Sequence, residues 1–565
     1  MATVADIDAL KREIEQLNTS IRTLKDADQL ADAKKRLGEL KKQLGTSGGG
    51  AQKKRERLLL KTPKGTRDYG PAEMACREHI ERIVKEVFHS YGGSCLDTPV
   101  FERKDVLTGK YGEDQKLIFD LMDQGGEQLA LRYDHTVPLA RYLAMTGATT
   151  PGAALQKLWQ VGKVYRRDNP VVSKGRMREF SQADFDIAGT ADPMIPDAEL
   201  ISLMCTILSR LEVGEFTVKL NHRKILDGIF EVCGVPTDKI RTISSAVDKM
   251  DKSPWEEVRQ EMTEEKGLSL EVAEAIGVYV KLKGEPFALL EQLSKDERLA
   301  ANKNAKQGLG DMRLLFQYLR AYGVIDRLSF DMSLARGLDY YTGITMEAVV
   351  EASAPPGFKD GAASKPKPTK KKPAVEGEEE EVDESQVGVG SIAAGGRYDH
   401  LVGMFARQAA AEGKSVPDLP CVGASIGMDR IFALLWPQWQ ARGRRAKSTL
   451  AYVIAAGDGL LEERLALVRE LRQAGIQADF LAKAKAKIAQ QFTAAERDEI
   501  PFAVILGENE LREGFVVVKE QRWEFVDGVK TKIKDDSVGE KVLRSQLIQW
   551  LTSRELYTLT LSGSI

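Results

Sequence analysis

Over its first 44 residues the chain repeats an apolar position every three or four residues. Ile7, Leu10, Ile14, Leu17, Ile21 and Leu24 form one seam, and Leu30, Ala33, Leu37, Leu40 and Leu44 form another. This is the spacing of amphipathic helices. Lys25, Asp26, Ala27 and Asp28 lie between the seams and suit a turn. Two arrangements fit: an antiparallel helical hairpin over residues 1–45, or one continuous coiled-coil strand whose seam slips at the turn. A glycine-rich tether follows (Gly48, Gly49, Gly50), and residues 46–61 become basic through Lys53, Lys54, Arg55, Arg57 and Lys61. Such a linker either collects phosphate electrostatically or is simply solvated.

From Lys64 onward the pattern is mixed. A helical period over 71–90 predicts a helix that buries Ile80, Ile83, Val84, Val87 and Phe88. Alternation near 129–136, 159–166 and 177–187 predicts strands. Residues 222–326 change to long helical patterns rich in Lys and Glu. They read as a helical insertion that divides a sheet domain into residues 62–221 and 327–440. Within the second part, residues 351–386 carry five lysines (Lys365, Lys367, Lys370, Lys371, Lys372) and then an acidic run from Glu376 to Glu384. Too little apolar surface is available there for order, so a disordered insertion is expected at a hairpin tip between strand patterns at 344–350 and 387–394. Residues 448–565 alternate strand and helix, the pattern of a compact α/β domain. The expected class is a multidomain α+β protein.

Composition narrows this picture. At roughly 150 residues per domain, 565 residues suggest three to four domains. The net charge of −2 identifies neither a nucleic-acid nor a membrane partner. Hydrophobic residues at 42% and charged residues at 29% are those of a soluble globular chain. No apolar run approaches the length of a membrane-spanning helix. The opening MATVADIDAL has neither the apolar core of a secretion signal nor an Arg-rich transit helix, so a cytoplasmic location is expected. Cys76, Cys95, Cys205, Cys233 and Cys421 are scattered without a CxxC pair, and the five histidines are equally dispersed. Reduced thiols are expected, with no metal site built from His and Cys.

Polar residues interrupt several strand patterns. Alternation puts Arg132, Asp134 and Thr136 on one face of a first strand, and Gln182, Asp184 and Asp186 on one face of another. A carboxylate, an amide oxygen and a hydroxyl at that spacing suit a small cationic ligand, although a solvent-facing strand side would look the same. Arg166 and Arg167 enter a loop from which Arg176 and Arg178 return, a phosphate clamp or a plain surface ribbon. Arg336 precedes the pair Tyr340 and Tyr341. Gly395 and Gly396 permit close backbone approach, and Gly423, Ser425 and Gly427 offer a flat strand face. Arg430 sits in the first turn of the next helix, where its charge opposes the helix dipole, so a ligand is its better partner.

The segments LRYDHTVPLARYLAM, VYRRDNPVVSKGRMREFSQADFDIAG, LARGLDYYTG, AAGGRYDHLVGMF and VGASIGMDRI, in this order, resemble the class II aminoacyl-tRNA synthetases. More narrowly they resemble the histidyl-tRNA synthetases of the eukaryotic cytosolic type. The likeness runs over nearly the whole chain from Lys61, and the amino-terminal hairpin resembles a WHEP module. The resemblance implies an antiparallel-sheet catalytic domain with a helical insertion and a C-terminal α/β anticodon-binding domain. It also implies ATP and Mg²⁺, L-histidine and tRNA(His), no membrane partner, and a homodimer built on a first motif over about Met74–Phe101. An alternative start would add a mitochondrial form.

Residue by residue, the resemblance implies that Arg166 meets the α-phosphate of ATP, with Asp168 near the adenine, Arg176 also on the nucleotide, and Arg430 at the γ-phosphate. Asp134, Thr136 and Gln182 are implied for the amino group of histidine. Asp186, Tyr340 and Tyr341 are implied for its imidazole, and Arg336 for its carboxylate and the α-phosphate. Arg166 and Arg336 are the implied catalytic pair. His135 departs from the pattern, standing where an apolar residue is expected. A non-enzymatic relative would be expected to lose these arginines, and this chain keeps Arg166, Arg336 and Arg430. A class IIa enzyme for threonine, proline or glycine is disfavoured by RGLDYY.

Overall fold

The computed structural model describes residues 4–21, 27–47, 58, 60–111, 117–122, 125–149, 153–251, 253–337, 340–350, 390–410, 416–457, 460–526, 529–533 and 538–561. Most of the basic linker, and the charged insertion at 351–386, lie outside these residues. The chain divides into two units, residues 1–62 and 63–565. In the first, helices span Val4–Ile21 and Ala27–Ser47. Arg36 Nη2 donates to Glu13 Oε1 at 3.3 Å, so the two helices lie side by side rather than end to end.

The second unit contains two large sheets. Strands of the first are β1 (Ser94–Cys95), β4 (Gln156–Tyr165), β5 (Glu179–Ala188), β6 (Phe216–His222), β7 (Lys283–Gly284), β8 (Leu328–Asp331), β9 (Ile344–Val350), β10 (Ala393–Arg397) and β11 (Cys421–Gly427). A small separate pair is formed by β2 (Phe101–Arg103) and β3 (Leu129–Leu131). The nine strands run in the order β1-β4-β5-β11-β10-β9-β6-β8-β7. Every pairing from β4 through to β6 is antiparallel. Gln160, Asp184, Ser425, Ala394, Glu347 and Lys219 therefore form one transverse row, and Leu158, Asp186, Gly423, Gly396 and Thr345 form the next on the same face.

The opposite face is apolar. Trp159 and Phe185 pack there against Phe88 of the helix Pro71–Ser90, which also buries Ile80, Ile83, Val84 and Val87, and Ala183, Ile187, Ala424, Met346 and Val218 belong to the same core. That helix starts at Pro71, whose missing N–H costs nothing in the first turn, and Glu73 reaches back to the Gly70 N–H at 2.9 Å.

Between β6 and β8 the chain runs through seven α-helices, from Arg223–Cys233 to Lys303–Ala321. This is the crossover that the parallel pairing of β6 with β8 requires. Their apolar faces (Ile225, Ile229, Met312, Phe316) join the core of the sheet instead of enclosing a separate one.

One ion pair ties the site-bearing strands to the helix Ile195–Arg210. Arg397 donates from Nε to Asp197 Oδ1 at 2.9 Å and from Nη2 to Oδ2, and Asp197 is fully buried. This arginine belongs to the AAGGRYD segment, yet it serves the scaffold. Asp197→Ala would remove the fully buried partner of Arg397 and leave the guanidinium only Asp399, at 3.1 Å. It is expected to lower unfolding stability by about 3–5 kcal/mol in denaturant titration.

The second large sheet, order β13-β12-β14-β15-β18, comprises β12 (Ala451–Ala456), β13 (Ala478–Phe480), β14 (Phe502–Gly507), β15 (Phe515–Glu520) and β18 (Glu540–Leu543). A two-stranded ribbon, β16 (Trp523–Val526) with β17 (Val529–Lys532), stands beside it. β12 pairs in parallel with β13 and β14 through the helices Leu461–Gln473 and Ile488–Arg497. Val453, Leu467, Phe502, Val518 and Leu551 build a core of its own. Among the described residues no helix is long and apolar enough to cross a membrane.

Candidate active site

The polar rows on β4, β5, β11, β10 and β9 make the floor of the site. Asp186 and Gly423 are cross-strand neighbours, and a Cβ at Gly423 would collide with the Asp186 carboxylate and crowd Tyr398. The absent side chain lets Asp186 lie flat over the sheet, where Tyr398 donates to its Oδ1 at 2.5 Å. Gly396, next in the row, leaves the same clearance for the ring of Tyr341. Tyr340 and Tyr341 pack together with ring centroids 4.3 Å apart. Burial, then Tyr340, pushes the Tyr341 hydroxyl well above its ordinary value. Arg336 opposes this and Asp134 adds to it, so these four side chains share one neighbourhood.

Four arginines converge above this floor. Arg430 is pushed down to about 10 by burial first and then by Arg336, Arg166 and Arg176, against a smaller opposing pull from Glu347. Of the four, Arg336 pairs with Glu347 and Arg176 with Asp168, and the positive charge left over suits phosphate oxygens. Arg336 donates to Glu347 Oε1 at 2.8 Å and to Ser391 Oγ at 3.1 Å. Its side chain remains 46% exposed, so its remaining N–H groups are open to the cleft. Arg430 donates to the Ser391 carbonyl as well, making Ser391 a bridge between the two. Arg166 lies over the Tyr133 ring at 4.2 Å and donates to the Tyr133 carbonyl at 3.2 Å. Gly175, at φ +67°, brings the loop after β4 against the backbone of Asp429 and Arg430, where any Cβ would overlap.

Two sequence readings change. The strand expected over 129–136 ends at Leu131, and Thr136 opens the helix Thr136–Met145. Arg132, Asp134 and Thr136 thus share no strand face. Asp134 Oδ1 accepts the Val137 N–H at 3.1 Å, and an acidic group capping orphan helix donors explains the break. Arg132 turns inward, donating to the carbonyls of Thr98 at 2.7 Å and Lys163 at 2.8 Å. Asp134 remains beside Tyr341, with Thr136 half-buried at the helix start.

Asp168 and Arg176, each expected toward the nucleotide, bind each other, with Arg176 Nη2 donating to Asp168 Oδ2 at 2.6 Å. The flat face expected at Ser425 is also not empty, since its hydroxyl donates to Asp184 and accepts from Gln182.

Sequence reasoning missed Glu347, Ser391, Tyr398 and Asp429. Asp429 is nearly buried, accepting from Tyr69 and Arg77 at 2.5 Å each and from the Ser181 N–H at 2.6 Å. It anchors the helix turn that carries Arg430, and it borders a separate cleft of about 440 Å³ lined by Arg67, Tyr69, Arg77 and Lys163. Its position next to Arg430 was the one available signal.

An antiparallel sheet with phosphate-seeking arginines over an acidic, tyrosine-walled floor, together with a second α/β sheet, defines an aminoacyl-tRNA synthetase of the second class. Residues 65–361 match the family model described as histidyl-tRNA synthetase, and residues 450–553 match the anticodon binding domain. A cytoplasmic histidine–tRNA ligase of Dictyostelium discoideum is 47% identical over 83% of this chain and 88% of its own. A mitochondrial one of Saccharomyces cerevisiae is 48% identical over 83% and 84%. The crystal structure of histidyl-tRNA synthetase from Nostoc covers 87% of this chain and 99% of its own, at 25% identity and a TM-score of 0.66. The chain belongs to the histidyl-tRNA synthetase family.

Proposed function

We propose that this chain activates L-histidine with ATP and transfers it to tRNA(His). The observation that carries the reading is the convergence of Arg166, Arg176, Arg336 and Arg430, with Tyr341 and Asp134 in the neighbourhood of Arg336. The histidine carboxylate attacks the α-phosphorus in line, the bond from that phosphorus to the α,β-bridging oxygen breaks, and pyrophosphate departs with the electron pair. The nucleophile is already an anion, so no general base is required. The protein's share is positioning and charge neutralisation. Arg166 and Arg336 face the α-phosphate and Arg430 the γ-phosphate, with Arg176 and Asp168 toward the nucleotide. Asp134, Thr136 and Gln182 hold the ammonium group. Asp186, Tyr340 and Tyr341 hold the imidazole. The terminal ribose hydroxyl of tRNA then takes the histidyl group and AMP leaves.

Among the described residues no cluster of three or more His, Cys, Asp or Glu side chains forms a metal cage. Magnesium would enter this site with the nucleotide and would add charge neutralisation at its phosphates to that of Arg166, Arg336 and Arg430. Residues 62–221 and 327–440 act as the catalytic domain, with 222–326 as its helical insertion, 448–565 as the anticodon-binding domain and 1–45 as a WHEP-like module. A homodimer on the first motif is supported by Val100 and Phe101, 38% and 55% exposed just beyond its helix. The cytosol is the compartment this reading favours.

Pyrophosphate exchange assayed with each of the twenty amino acids tests the reading, and histidine alone is expected to support it. Asp186→Ala is expected to raise the KM for histidine about ten-fold or more and to blunt discrimination against other amino acids, because polar groups that pair with a substrate also reject those that leave them unpaired. Unchanged discrimination would remove Asp186 from the imidazole contact.

A further inference from the structure

A buried polar chain runs beneath the site from His135. His135 is fully buried, and neither ring nitrogen has a hydrogen-bond partner among the described residues. Its Nδ1 lies 3.6 Å from Asp184 Oδ1. Asp184, 3% exposed, accepts the Ser425 hydroxyl proton at 2.7 Å, and Ser425 Oγ in turn accepts from Gln182 Nε2. Asp184 and Ser425 are cross-strand neighbours on β5 and β11, so the register holds the chain together. At its far end Gln182 Oε1 is buried with no partner.

Donor and acceptor counting gives this chain a direction. A carboxylate only accepts, so Ser425 must spend its single proton on Asp184 and can offer only lone pairs to Gln182. The NH₂ end of the Gln182 amide therefore turns toward Ser425, and the carbonyl end is left toward the ligand. A buried oxygen without a partner is costly unless a ligand donor completes it. An ammonium group is the donor with the complementary charge.

We propose that His135, Asp184 and Ser425 are positioning residues that fix the Gln182 amide with its oxygen toward the site, and so set affinity for the substrate's α-ammonium group. His135 lies at the charged end of this chain, its Nδ1 3.6 Å from Asp184 Oδ1, and its buried ring packs that carboxylate in place. This rests on the reading of Gln182 as an amino-group contact and adds the side chains that orient it. No residue of the chain reaches the reacting atoms.

Two probes separate positioning from folding. Histidinol keeps the imidazole and the amine of histidine, whereas imidazolepropionate keeps the imidazole and lacks the amine. Both are measured as inhibitors of histidine-dependent pyrophosphate exchange by the full-length protein. Ser425→Ala and His135→Leu are expected to weaken histidinol and to raise the KM for histidine about ten-fold, the scale of one hydrogen bond to a charged group. Imidazolepropionate inhibition and the KM for ATP are expected to stay within about two-fold. His135→Asn, which keeps an N–H donor, is expected to recover part of the loss. Equal weakening of both inhibitors, or unchanged histidinol inhibition in Ser425→Ala, overturns the proposal. Absence of histidine-dependent exchange in the unsubstituted protein would instead overturn the functional reading itself.

Discussion

Arg336→Ala is expected to lower histidine-dependent ATP–pyrophosphate exchange by about two orders of magnitude or more, the scale of losing one preorganised donor to a developing anion. That corresponds to about 2.7 kcal/mol of transition-state stabilisation. The guanidinium is held on one side by Glu347 and Ser391 and left open on the other. Enclosure in the cleft pulls its pKa down, but Glu347 and Asp248 outweigh this and leave it above the ordinary arginine value. It therefore stays charged at any working pH. Removal also leaves the carboxylate of Glu347, only 8% exposed, without its cation, so repulsion toward ATP adds to the lost attraction. Arg336→Lys keeps the charge and loses the planar fork, and an intermediate rate is expected. Exchange at saturating histidine and ATP, with folding checked by circular dichroism, measures this. A near-normal rate for the alanine variant would exclude Arg336 from the chemistry.

A chain ending before residue 448 is expected to charge tRNA about two orders of magnitude or more less efficiently, while pyrophosphate exchange stays within about ten-fold. Losing the second of two linked binding modules removes avidity on that scale. The C-terminal sheet builds its own cores, one around Val453 and Phe502 and one around Tyr452 and Ile500. Among the described residues, the site arginines and the core beneath them draw on nothing beyond Trp439. Exchange and charging measured on the same preparation separate the steps. Parallel loss of both would assign the C-terminal domain a structural task in place of tRNA recognition.

Much of the site was legible because strand alternation is a local property. Gln182, Asp184 and Asp186 share a face whatever lies beside them, and β5 places them so. The helix Pro71–Ser90 was equally plain from its apolar period and its Pro start. The stretch from Leu129 to Thr136 misled because alternation continued past the strand's true end. Asp134 accepts a helix N–H two residues after His135 and turns the chain, a competition between capping and extension that the apolar pattern does not register.

The sequence by itself determined the family, the apolar face of the sheet, and the identity of most of the charged groups offered to a ligand. Tertiary structure decided which of those groups are free for one. Arg166, Arg336 and Arg430 converge with N–H groups toward the cleft, whereas Arg176 is held by Asp168, and Arg132 and Arg397, in equally suggestive segments, are consumed by the carbonyls of Thr98 and Lys163 and by Asp197. The same holds for Ser425, committed to Asp184 from a strand more than two hundred positions away in the chain. A side chain's chemistry is fixed by its type, but its availability depends on which donors and acceptors strand register and packing bring within about 3 Å.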